Sequence, residues 1–187
     1  MTKLFKAAVL SLGFLATSAA SAGTLSFSDT TLGGATWNRL VANGVNPPTG
    51  LSNVGTAVAY DVTHLQVNQN GSYTFQSVAT VPTNWDNYSF LYANSFNAGA
   101  PLTNVLIGND DNPNIGLSGF TLNLLAGVDY YFVETGFANT DQGSYQVTIV
   151  GRDGTASIVG NSVPEPESLA LFGIGLLGLV AVRRRKG

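Results

Sequence analysis

Alternation of apolar and polar residues runs through the middle of the chain. Tyr73 and Phe75 alternate with Thr74 and Gln76, Tyr88, Phe90 and Tyr92 share one face of a second segment, and Phe120, Leu122 and Leu124 share one face of a third. Further along, Tyr131 and Val133 oppose Phe132 and Glu134, and Tyr145, Val147 and Ile149 alternate with Gln146 and Thr148. A period of two sends successive side chains to opposite faces of an extended strand. Asn70-Gly71, Ala126-Gly127, Gln142-Gly143 and Asp153-Gly154 punctuate these runs and suit tight turns, because glycine tolerates positive φ. An earlier strand is expected to end near Val67, and another covers Leu25 to Ser28. The rest of Gly23 to Gly55, with Asn43, Asn46-Pro47-Pro48 and Gly50, reads as an edge strand followed by a long connection, with Trp37 in the core. Short strands at this spacing predict an all-β fold, an antiparallel β-sandwich or jelly-roll-like domain.

Both ends of the chain break the pattern. Lys3 and Lys6 precede an apolar stretch from Ala7 to Ala16, and Ala20-Ser21-Ala22 supplies small residues before Gly23. That order of charge, apolar run and small residues predicts a signal peptide, with cleavage between Ala22 and Gly23. At the other end, Val163-Pro164-Glu165-Pro166-Glu167 leads into an apolar run from Leu169 to Val182, closed by Arg183, Arg184, Arg185 and Lys186. The 14-residue run spans roughly 21 Å as a helix, short of a hydrocarbon core of about 30 Å. Such a helix enters a membrane but anchors poorly, and the four cations hold its end on the cytoplasmic side. Gly173, Gly175 and Gly178 give it a narrow face that another helix can approach. The expected division is therefore a signal peptide at 1–22, a β-sandwich domain at 23–162 and a C-terminal segment at 163–187.

Removing the ends changes the charge picture. Six of the eight cations lie in them, so Gly23 to Ser162 holds nine acids against Arg39 and Arg152, a net charge near −7. Such a domain is repelled by nucleic acid and by anionic membrane surfaces. Charged residues make up only 10% of the chain, against about 25% in ordinary globular proteins, and Ser, Thr, Asn and Gly carry the polarity. That composition suits life among polysaccharides, and it leaves few edge lysines to discourage sheet-to-sheet association.

The chemistry on offer is limited. The chain has no cysteine and a single histidine, His64, placed in a strand between Thr63 and Leu65. This argues against a Ser–His or Cys–His nucleophile and against zinc. Asp110 with Asp111 or Glu134 are conceivable carboxylate pairs for glycoside hydrolysis, but neighbours on a strand point apart, so a non-enzymatic protein is expected. The richest oxygen cluster is Asn109-Asp110-Asp111-Asn112-Pro113-Asn114. Calcium takes six to eight such oxygens, which makes Asp110, Asp111 and Asn112 candidate ligands, joined by Asp86 if the fold brings its loop across. The alternative is an Asx-rich turn bonding its own backbone. Trp85 and Tyr88, in and just after a polar loop, are candidates for stacking on a saccharide ring, against the alternative that Trp85 folds back over the sandwich edge.

The terminal Val-Pro-Glu-Pro, the short Gly/Leu-rich helix and the final Arg cluster resemble the PEP-CTERM sorting signal of Gram-negative bacteria, over Val163 to Lys186. The resemblance implies recognition by an exosortase after passage through the secretion machinery. It also implies a transient stay in the inner membrane, delivery to the cell surface or extracellular matrix, and a link to exopolysaccharide, biofilm or adhesion. From Val58 to Gly151 the order of strands and turns, including Gly71-Ser72-Tyr73-Thr74-Phe75, Asn109-Asp110-Asp111 and Gly143-Ser144-Tyr145, resembles the bacterial pre-peptidase C-terminal β-sandwich. That family implies an accessory module, some of whose members bind calcium. The second expectation for function is accordingly a binding module for a specific saccharide or protein, with calcium as candidate cofactor.

Overall fold

The computed structural model describes residues 22–42, 45–152 and 154–159, and among these there is no helix. The strands are β1 (Gly23–Thr30), β2 (Thr36–Trp37), β3 (Val58–Val67), β4 (Gly71–Val81), β5 (Asn87–Ala93), β6 (Val105–Asn109), β7 (Leu117–Leu124), β8 (Tyr130–Gly136), β9 (Ser144–Gly151) and β10 (Ala156–Ile158). They form two antiparallel sheets, one in the order β1-β9-β4-β7 and one in the order β10-β3-β8-β5-β6, with β2 also paired to β3. The all-β, antiparallel reading is thereby met, and the alternating runs fall on β4, β5, β7, β8 and β9. The expected signal helix and C-terminal membrane helix lie outside the described residues.

The sheets face each other across one core. Tyr73 and Phe75 of β4, Tyr145, Val147 and Ile149 of β9, and Phe120 of β7 meet Leu65 of β3, Leu91 of β5 and Phe132 of β8. Phe75 and Phe132 stack across the gap at 5.9 Å and 8°. Each such buried ring contributes about 1.5–3 kcal/mol through removal from water. The outward side of the six-stranded sheet is covered too. There Tyr88, Phe90 and Tyr92 pack under Trp37 of β2 and under Leu40 and Phe96 from the long connections, so Trp37 is core, as expected.

Among the described residues the outward side of the four-stranded sheet is open over β1, β9 and β4 and closed at the middle of β7, where Asn112 lies over the buried Gly119. Register places Ser26, Thr148, Gln76 and Gly119 in one cross-strand row and Thr24, Val150, Thr74 and Thr121 in the next. A further row holds Ser28, Gln146, Val78 and Leu117. No residue in these rows is charged.

Strand connections alternate between the two ends of the sandwich. At one end lie Gly23, the turn 68–70 between β3 and β4, the loop 125–129 and the approach to β10. A Cβ on Gly23 would strike Thr155, so the first strand begins against the last. The opposite end gathers the connections 82–86, 110–116 and 137–143. Glycine serves two purposes in the expected turns. Gly127 has φ 80°, as a turn requires, whereas a Cβ on Gly143 would lie 2.6 Å from the Trp85 ring, so there the need is room.

Candidate metal centre at the loop end

β5 and β6 are antiparallel neighbours with Ser89 opposite Asn109. The residue before β5 and the two after β6 must therefore come side by side, and these are Asp86, Asp110 and Asp111. One carboxylate oxygen from each lies within 4.8 Å of the others. The objection that adjacent carboxylates on a strand point apart does not apply, because β6 ends at Asn109 and Asp110 starts a bend. The loop is held by its backbone: Asn112 N donates to Leu117 O at 2.6 Å and Leu117 N donates to Asn114 O at 3.0 Å. Asn109 Oδ1 accepts from Gly119 N at 2.9 Å. Asn112, expected as a ligand, directs Nδ2 to Gly119 O at 3.2 Å, which ties the loop to β7.

Like charges this close repel, and the structure registers it. Burial first, then the Asp86 and Asp111 charges, push the Asp110 carboxyl up to about 7, against the pull of Arg39. Asp86 is raised by burial and then by Asp141 and Asp111, again with Arg39 opposing. Asp86 Oδ1 and Asp110 Oδ1 are both buried with no hydrogen-bond partner. Below them Arg39, 2% exposed, sits over the Tyr88 ring at 4.2 Å and the Phe137 ring at 4.9 Å. Its Nε and Nη2 donate to Phe137 O at 2.9 and 2.7 Å, and Nη1 donates to Leu40 O at 2.7 Å. A single guanidinium, spent on carbonyls, leaves the three carboxylates short of positive charge. Hard, oxygen-only donors around two unsatisfied oxygens fit calcium or magnesium rather than a softer metal. Beside Asp111 opens a cavity of about 640 Å³ lined by Asn84, Pro113, Asn114, Ile115 and Leu117.

The other candidates separate. Glu134 does not join Asp110 and Asp111: it stands between the sheets, fully buried. There it accepts from Ser77 Oγ at 2.6 Å, Asn87 Nδ2 at 2.8 Å and Ser89 Oγ at 2.7 Å. Burial pushes its carboxyl up to about 7, with those three bonds opposing. The saccharide platform of Trp85 and Tyr88 is corrected. Trp85 is 6% and Tyr88 2% exposed, and they belong to different apolar clusters. Trp85 folds back over the sandwich edge because Ser144 O accepts from Nε1 at 2.9 Å, and Tyr88 OH is engaged with the Ala42 backbone. His64 lies on β3, as expected, with Nε2 at 2.9 Å from Asp129 Oδ1 and its ring stacked on Tyr131 at 4.6 Å. Sequence reasoning missed Arg39 as the charge beneath the acids; its being one of two cations in an acidic domain was the available signal.

The described residues thus define an all-β domain of two facing sheets with an acidic rim at one end. Beyond it, residues 162–186 match the PEP-CTERM protein-sorting motif, which marks an exported, exosortase-targeted protein. No curated protein matches the chain. Among solved structures it is similar to two adhesin domains of Lys-gingipain from Porphyromonas gingivalis W83. The K3 domain shares 13% identity over 67% of this chain and 91% of that one, with a TM-score of 0.32. The K1 domain shares 15% over 76% and 99%, also with a TM-score of 0.32.

Proposed function

We propose that this chain is a non-enzymatic protein of the cell surface or extracellular matrix of a Gram-negative bacterium, cut at its Pro164-Glu165-Pro166 region and contributing to adhesion or an exopolysaccharide matrix. In this reading the signal peptide is removed before Gly23, and the C-terminal helix holds the chain in the inner membrane only until exosortase acts. The sorting motif supports export. The non-enzymatic role is supported by the sequence's supply of bases and nucleophiles, one histidine and no cysteine. Calcium is held at Asp86, Asp110 and Asp111, and the observation that carries this is their convergence with two buried, partnerless carboxylate oxygens. Calcium neutralises the cluster and fixes the 110–116 loop against the start of β5.

The test is calorimetry on the full chain with calcium and magnesium. Calcium is expected to bind with one site that Asp110→Asn removes; no heat at millimolar calcium overturns the reading. Replacing Pro164, Glu165 and Pro166 by alanine tests processing, since an unchanged chain mass and surface delivery in the native host contradict it. The cavity beside Asp111 favours a second reading, a binding module for a saccharide or protein group, which a glycan array run with and without calcium separates from a passive matrix role.

A further inference from the structure

The domain carries a net charge near −7, yet the three rows on the open side of the β1-β9-β4-β7 sheet carry none of it. Ser26 and Thr148 hydroxyls lie 3.2 Å apart across β1 and β9, and those of Thr74 and Thr121 lie 2.8 Å apart across β4 and β7. Val78 and Val150 stand among them, 37% and 41% exposed. The result is a fixed lattice in which hydroxyls alternate with methyl groups. Gln76 pins its centre, donating through Nε2 to Ser77 O at 3.1 Å, Ser118 O at 3.2 Å and Asn112 O at 3.4 Å, so the 110–116 loop borders the face on the β7 side.

We infer that this face is a docking surface for a neutral polysaccharide, which lies flat across the strands with its hydroxyls on the Ser/Thr lattice and its C–H faces on the valines. Charge decides the occupant. An anionic polymer meets the field of an acidic domain, whereas a neutral one lies across rows in which no side chain is charged. Area argues against a second copy. Four strands about 4.8 Å apart and eight residues of about 3.4 Å each give roughly 14 by 27 Å in projection, about 400 Å², half of the roughly 800 Å² per partner of a stable protein interface. The lattice also lacks the apolar centre of such interfaces. A polymer needs only a strip, and it gains strength by engaging many copies at once. The inference rests on the export reading for its biological sense, but its test does not.

Affinity electrophoresis of the full chain in mild detergent, through gels containing a soluble neutral β-glucan, galactomannan or galactan, reads the interaction directly. At least one polymer is expected to retard the chain. Thr148→Glu and Ser26→Glu, which place a charge on the lattice, should each weaken retention tenfold or more, while Thr148→Gln keeps it within threefold. Leu102→Glu, a charge at an exposed site away from the face (45% exposed), should leave it unchanged. Melting curves identify any variant that fails to fold, and Ser26 on the edge strand provides the second probe if Thr148→Glu does. Retention by none of the three polymers overturns the inference, as does retention that Leu102→Glu weakens as much as Thr148→Glu. A concentration-dependent dimer in sedimentation that Thr148→Glu abolishes would overturn it in favour of a second copy. Calcium titrations of the same variants stay unchanged, so this surface and the loop-end site fail or stand separately.

Discussion

The two ends of the sandwich are built from the same kinds of residue and come out differently. Around Gly23 and β10 the polar groups close on one another. Asn68 Oδ1 accepts from Thr155 N at 2.7 Å, Asn68 N donates to Thr155 O at 3.1 Å, and Asn70 Oδ1 accepts from Ala126 N at 2.8 Å. Tyr73 OH donates to Gln69 O at 2.9 Å. At the other end three carboxylates converge, and two of their oxygens are buried without a partner. The first end is finished by the protein itself, while the second leaves two carboxylate oxygens for the proposed cation. Loops on a rigid scaffold commonly carry function; here β1 and β10 both start at the self-satisfied end, and the acidic rim lies at the opposite one.

The widest break would come through the core that both ends share. Phe132→Ala removes the ring stacked on Phe75 and should cost about 3–5 kcal/mol in urea denaturation, abolishing calcium binding with the fold. If calcium binding survives in a chain that has lost its cooperative transition, the rim is not built on this core. Glu134 comes next. Its carboxyl, raised from 4.5 to about 7 by burial, binds a proton more tightly in the folded chain than in the unfolded one. That contribution is complete below about pH 4.5 and is lost as pH rises to about 7, a fall of roughly 3 kcal/mol. Glu134→Gln should flatten this slope in stability measured between those pH values. An unchanged slope would assign it to other carboxylates.

Calcium should act at one end only. At a hundred times its dissociation constant it adds about 2.7 kcal/mol, read as a rise in melting temperature. Asp110→Asn should remove the increment, and substitutions near Asn68 should not. An equal increment in Asp110→Asn would place the ion elsewhere.

How far these contrasts could be read from the sequence depends on register. β4, β7 and β9 were legible because one face of each is buried and the other open, as at Tyr73 and Phe75 against Thr74 and Gln76. In β5 the Tyr88, Phe90 and Tyr92 face was legible too, but Asn87 and Ser89 on the other face are equally buried. Their burial follows from Glu134 on the neighbouring strand, which no local pattern encodes. β6 is five residues, Val105–Asn109, too short to show alternation, and β2 and β10 are shorter. The candidate metal site shared this limit. Asp110 and Asp111 stood out as an oxygen-rich loop, while the arrival of Asp86 depends on Ser89 facing Asn109 across β5 and β6. Trp85 misled because its loop is polar, and the groups that hold it, Ser144 O and the space at Gly143, lie some sixty residues away.

The smallest effect is the sharpest control. Asn68→Ala deletes the acceptor of Thr155 N at an exposed turn, so the loss should be about 0.5 kcal/mol, the low end for a hydrogen bond. Its consequence is local, because Asn68 clips the approach to β10, and β10 meets the six-stranded sheet through only three residues, Ala156, Ser157 and Ile158 against Val67, Gln66 and Leu65. Val159 N, which donates to His64 O at 2.9 Å, should therefore exchange its hydrogen faster in Asn68→Ala before any amide of β4 or β9 does. Calcium affinity should stay within twofold, since no element of the acidic rim touches this clip. A parallel drop in calcium affinity would mean that the two ends open together, and the division between a self-satisfied end and a cation-dependent one would have to be abandoned.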